Sequence, residues 1–220
     1  MLRFIATLLV ASIIALTSLD AFSKDDVTKE TVDALVEQLA SKNPAPEEVD
    51  GRTAEYPPNY DKKLQKPIYE AYRKLNLLGV GAFPHLIDHF DDERYALTAD
   101  GGSMEINFSV GKLCYYIVEL QIQPDKGWTV GKGDPRFRAF RPHFPEHIKL
   151  RDKESAMKWW EQNKSKTLVE IQILVTEWAI AEEAKRPTEY TDDERKALRK
   201  RLEDLRKTNN PIPSTLPWFK

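Results

Sequence analysis

The chain has 220 residues, with 33 lysines and arginines against 35 aspartates and glutamates and a formal net charge of −2. That near-neutral balance excludes bulk nucleic-acid binding, which needs a basic excess, and a single cysteine, Cys114, excludes an intramolecular disulfide framework. A charged fraction of 31% beside an aromatic fraction of 10% excludes the composition of a disordered chain.

The first 23 residues differ from everything after them. Arg3 gives a positive start, Phe4 to Leu16 an almost unbroken apolar run, and Ala21 and Ser23 the small residues of a cleavage site. This is the three-part pattern of a secretory signal peptide, and it predicts a secreted or periplasmic product beginning at Lys24. The apolar run is shorter than the roughly 20 residues a membrane span needs. No second long apolar stretch follows, so no membrane span is expected after signal removal. The leader carries one arginine and one aspartate, so the mature chain keeps the charge of the whole. Four regions are expected: the leader (1–23), an N-terminal helix with a Pro-rich linker (24–59), a helical domain (60–186), and a C-terminal helix and tail (187–220).

Val32, Leu35, Val36, Leu39 and Ala40 recur at helical spacing from Thr28 onward, with Asp26 or Thr28 placed to cap the start. Pro44, Pro46, Gly51, Pro57 and Pro58 then predict a linker from Asn43 to Asn59, which would leave the first helix loosely tied to the rest. Beyond it, Pro67 suits a first helical turn, and Ile68, Ala71, Tyr72 and Leu75 form one apolar face before Gly79. Phe83, Leu86, Ile87 and Phe90 mark a short second helix that ends at Asp91-Asp92-Glu93. The interval from Arg94 to Ser109, with Gly101 and Gly102, is expected to be a loop. Ser109 caps a helix lined by Val110, Leu113, Cys114, Ile117 and Val118. The result is an all-α class of stacked antiparallel helices, with no sustained period-two pattern.

Leu78-Gly79, Ala82, Pro84, Leu86-Ile87, Phe90, Asp92 and Arg94, followed by the helix from Val110 to Ile117, resemble a degenerate HEAT repeat over about residues 66–123. The helix from Ile68 to Leu78 takes the place of the second helix of a preceding repeat. The resemblance implies a helical stacking scaffold that presents a binding surface, with no catalytic residues to carry over.

Pro124 to Leu150 reads as a long irregular segment, of a kind that tends to be functional. Asp152 caps a helix bearing Ala156, Met157, Trp159 and Trp160, of which one indole is expected to point away from the core. Thr167 opens a stronger helix with Leu168, Ile171, Leu174, Val175, Trp178 and Ala181. Thr191 and Glu194 form a capping box for a last helix striped by Leu198, Leu202 and Leu205, and Pro211, Pro213 and Pro217 give an extended tail.

Two groups of residues carry candidate chemistry. Arg136, Phe137, Arg138, Phe140, Arg141 and Phe144 interleave cations with aromatics, and Pro124 to Arg151 holds seven lysines and arginines against three acids. Guanidinium forks and aromatic faces suit an anionic or planar ligand. The competing reading has the phenylalanines anchoring the segment while the arginines stay solvated. The four histidines form two pairs four apart, His85 with His89 and His143 with His147. Residues four apart share a helix face, so His85 and His89 with Asp88, joined by His143 or His147, would make a metal site of hydrolase type. Leu86, however, stands where the metalloprotease motif needs a glutamate.

Gly127 to Gly133 lacks phosphate-loop spacing, and there is no G-x-S-x-G elbow, so no cofactor is expected. Cys114, on an apolar face, reads as a buried inert thiol. Asn107-Phe108-Ser109 and Asn163-Lys164-Ser165 are glycosylation sequons, relevant only in a host with that machinery. The sequence therefore favours an exported, non-enzymatic binding or scaffold protein, with a protein or an anionic envelope ligand as partner. The rivals are the metal-dependent hydrolase and a structural envelope component that self-associates through its last helix.

Overall fold

The computed structural model describes residues 27–49, 54–100, 105–122, 152–185 and 192–212. Seven α-helices dominate these residues: α1 (Lys29–Glu37), α2 (Lys66–Leu77), α3 (Phe83–Asp88), α4 (Val110–Ile122), α5 (Lys153–Asn163), α6 (Leu168–Lys185) and α7 (Asp192–Thr208). The fold is mostly helical rather than wholly so. Two strands, β1 (Glu47–Glu48) and β2 (Ala54–Glu55), pair briefly, and β3 (Tyr95–Asp100) pairs with β4 (Glu105–Ser109), both antiparallel.

One apolar cluster joins α1 to α6 and the β3–β4 pair. Ile68, Ala71, Tyr72 and Leu75 of α2, Phe83, Leu86 and Ile87 of α3, and Val110, Leu113, Cys114, Ile117 and Val118 of α4 are all buried in it. The expected helix faces are therefore the observed ones. Three expected caps form as well. Thr28 Oγ1 accepts from Thr31 N at 3.3 Å, Ser109 Oγ from Lys112 N at 3.1 Å, and Asp152 Oδ1 from Ser155 N at 2.7 Å.

Gly111 fixes how α4 meets α3. A Cβ there would lie 2.4 Å from Phe90 O and 2.8 Å from His89 O, so only glycine lets the two backbones approach this closely. The N–H groups of Val110 and Gly111 donate to Arg94 O at 2.8 Å and Asp92 O at 2.9 Å. The first turn of α4 is thus satisfied by the turn that follows α3.

Four expectations are corrected. The interval 94–109 carries the β3–β4 pair, with Thr98 opposite Asn107 and Leu97 opposite Phe108. Ala96, Leu97, Thr98 and Ala99 are buried in succession, so both faces of β3 are covered and no alternation survives in the sequence. Helix α1 is not loosely tied, because Val32, Val36 and Leu39 are fully buried in the common core. Both indoles of α5 are buried, Trp160 packing edge-on against Phe83 with centroids 5.7 Å apart. On α6, Ile171 and Val175 are buried as expected, but Leu174 is 44% exposed, and Val169, Gln172 and Thr176 are buried beside them. No helix among the described residues is long and apolar enough to cross a membrane. The leader and the residues of the 191–194 capping box other than Asp192 to Glu194 lie outside the described residues.

Candidate functional site

Three of the candidate metal ligands, His85, Asp88 and His89, lie in the last turn of α3 and at its C-cap. His89 is the C-cap of α3, and its Nε2 lies 2.9 Å from Asp33 Oδ1 on α1. Lys29 Nζ lies 2.9 Å from the other oxygen of the same carboxylate. These two contacts, His89 foremost, hold the Asp33 carboxyl below its ordinary range. His85 and Asp88 lie on α3 itself. Among the described residues no group of three or more His, Cys, Asp or Glu is placed to hold a metal ion. His143 and His147 lie outside the described residues, as do Arg136, Phe137, Arg138, Phe140, Arg141 and Phe144.

Beside this end of α3, Arg94 bridges two carboxylates. It grips Glu37 of α1 with both terminal nitrogens, at 2.8 and 2.9 Å, and Asp92 through Nε at 3.0 Å and Nη2 at 2.6 Å. The planar fork suits this paired geometry. Arg94 accordingly holds both carboxyls below their ordinary values. Within Asp91-Asp92-Glu93, where the short helix ends, Asp92 thus serves through Arg94 to join α1 to the turn.

From the other side, Lys153 of α5 donates Nζ to Asp88 O at 2.6 Å, with Asp88 Oδ1 and Asp91 Oδ1 at 3.8 and 3.7 Å. A cation at the carbonyl end of a helix is favourably placed against its dipole. Between α3 and α5 runs an open groove of about 790 Å³, lined by Asp88, Lys153, Glu154, Met157, Lys158, Glu161 and Gln162. Met157 is the only apolar residue in that lining, so the hydrocarbon of its wall comes largely from the stems of the lysines, the glutamates and Gln162. The arrangement can seat a flexible chain against methylene groups while mixed charges hold its edges.

A second polar site escaped the sequence reading. Asn107 Nδ2 donates to Pro46 O at 2.8 Å, which leaves Asn107 Oδ1 to accept from Thr98 Oγ1 at 2.6 Å. Thr98 has then spent its proton, so Tyr95 OH donates to it at 2.8 Å, and Tyr60 OH donates to Tyr95 OH at 2.9 Å. Gln65 Nε2 donates to Tyr60 OH, and Gln65 Oε1 accepts from Tyr69 OH at 3.0 Å. Every hydroxyl from Tyr60 to Thr98 donates in one direction, which such a chain requires if each group is to be satisfied. Alongside, Glu105 accepts from Ala54 N and from Tyr56 OH, both at 2.9 Å. Burial, then the Glu105 bond, pushes the Tyr56 phenol up to about 12. Burial likewise raises Tyr60 and Tyr69, so all three stay protonated.

This network binds the Pro-rich stretch between α1 and α2 to the β3–β4 pair. Its tyrosines were visible in the sequence, but no motif connects them, because they converge only once β3 pairs with β4. Burial also pushes the Cys114 thiol up and keeps it neutral and inert, as its apolar helix face suggested. Comparison of the chain with protein-family models, with curated proteins and with solved structures finds no match to any of them.

Proposed function

We propose that the mature chain is an exported, non-enzymatic binding or scaffold protein that presents HEAT-like stacked helices and the basic, aromatic segment 136–144 to an anionic envelope ligand. The observation that carries this reading is the local charge. Residues 124–151 hold a net charge of +4 within a chain whose total is −2. That segment leads directly into α5, whose first turn borders the groove against α3. Acyl or other flexible hydrocarbon suits the methylene-lined wall there, while an anionic head group suits the arginines.

The test is binding of purified mature protein to vesicles of phosphatidylglycerol, with phosphatidylcholine as the neutral reference. Replacing Arg136, Arg138 and Arg141 together by alanine removes three charges at about 1 kcal/mol each near an anionic surface. Affinity for the anionic vesicles should then fall by about a hundredfold, with the melting temperature unchanged. Unaltered binding, or a lowered melting temperature in its place, would make the segment a structural one and end this reading.

A further inference from the structure

Gln172 joins three stretches of chain that are far apart in sequence. It lies on α6 and is fully buried. Its Nε2 donates to Gln121 O in the last turn of α4 at 2.7 Å and to Ile212 O at 3.0 Å, and its Oε1 accepts from Ile212 N at 2.8 Å. Both hydrogens of the amide are thus spent, one on each neighbour. The bond to Gln121 O serves α4, because a carbonyl in the last turn of a helix has no partner within it. The two bonds to Ile212 hold the N–H and the C=O of one residue together, as an adjoining strand would.

Ile212 lies just beyond a fixed end of α7. Asn209, with φ at 50°, donates its N–H to Leu205 O at 3.0 Å and closes that helix as a left-handed cap. Further back, Arg206 Nη2 donates to Glu177 Oε1 at 2.6 Å. The partners run in opposite order, Arg206 with Glu177 and Ile212 with Gln172. Helix α7 therefore lies antiparallel to α6, and the Gln172 amide fastens it beyond its C-terminal end.

The rest of the attachment of α7 is thin. On α6, Ile171 and Val175 belong to the common core and Leu168 packs against it, whereas no described residue of α7 does either. The buried apolar side chains described on α7 are Leu198 and Leu205, in a helix otherwise dominated by charged residues. The Arg206–Glu177 pair is exposed at both ends, and such pairs contribute little. Segments with few buried apolar contacts open first, as units, while the core beside them holds. We propose that α7 is a latched helix. It leaves α6 as one unit with the core intact, uncovering Leu198 and Leu205, and the Gln172 amide is the latch that keeps it closed.

The test is amide hydrogen exchange, read by NMR, on the mature chain and two variants. In the unaltered chain the amides of Arg199 to Arg206 should exchange faster than those of Leu113 to Val118 by about tenfold or more. Equal protection of the two helices overturns the separate opening. Ile117→Val weakens the core that stays closed when α7 leaves. It should speed exchange in α4 and leave α7 unchanged, and equal acceleration in both overturns the proposal. Gln172→Leu removes the two bonds to Ile212, so exchange in α7 should rise by about tenfold. An α7 indifferent to that change overturns the latch. Should Gln172→Leu fail to fold, Ile212→Pro deletes only the N–H that Gln172 accepts and takes its place, with the same two outcomes.

Discussion

Arg94 shows how much one side chain can settle. It joins Glu37 on α1 to Asp92 in the turn that supplies the first hydrogen bonds of α4. Both carboxyls are held below their ordinary values, 3.8 for Asp92 and 4.5 for Glu37, with Arg94 as the leading cause. A carboxyl whose folded pKa is depressed contributes stability above its unfolded pKa, and that contribution is lost as pH falls through the folded value. Stability should thus decline below about pH 4.5, and the Arg94→Gln variant should decline less steeply there. Urea midpoints at pH 7 and pH 3 check this. The difference between the two proteins should be smaller at pH 3 than at pH 7, and an equal difference at both would show that the depressed carboxyls contribute nothing. The sequence puts Arg94 two residues after Asp92, but Glu37 lies 57 positions away and nothing local links it to Arg94. The tyrosine chain from Tyr60 to Thr98 was hidden for the same reason, since side chains that meet across strands leave no periodic trace.

At the scale of elements, the helices were legible because their apolar residues recur at 3.6-residue spacing, and α1, α4 and α5 are also capped by a short polar residue. By contrast, α2 and α3 start with a proline in the first turn and no side-chain cap. β3 was not, because Ala96 to Ala99 are buried on both faces and the run lacks alternation. A signal was nevertheless present in β4, where Glu105, Ile106, Asn107 and Phe108 do alternate after Gly101-Gly102. The buried indole pair of α5 was missed for another reason. Two successive helix positions can both be covered where α3 packs beside them, as the Phe83–Trp160 contact shows. Where α3 and α4 cross, Gly111 leaves no room for a methyl group, and its neighbours are main-chain atoms that cannot rotate away. Gly111→Ala should therefore cost about 1–3 kcal/mol by overpacking, read as a melting-temperature loss of about 2–4 °C for each of them. A loss below 1 °C would mean that the crossing yields more readily than its geometry implies.

For the whole molecule, one core unites α1 to α6 with the β3–β4 pair, while the described residues of α7 sit outside that cluster and pack on α6. Its buried residues are Leu198 and Leu205. A self-association surface built on this stripe would first have to give up the contact with α6. The proposal of export rests on the leader, and its consequence for the mature chain is simple to measure. Mass spectrometry of protein recovered from outside the cytoplasm should give an N-terminus at Lys24. Recovery with residues 1–23 still attached would replace secretion by membrane retention. Cleavage there leaves four residues before the N-cap of α1, Thr28.

The amide nitrogen of Asn107 has a further consequence outside folding. The atom that holds Pro46 O is the same atom that an oligosaccharyltransferase would modify in Asn107-Phe108-Ser109. Glycan attachment happens on the emerging chain, before β4 can find β3. In a eukaryotic secretory host the sugar and the bond to Pro46 would thus meet at one nitrogen, and the choice of expression system would decide which form of the protein is made.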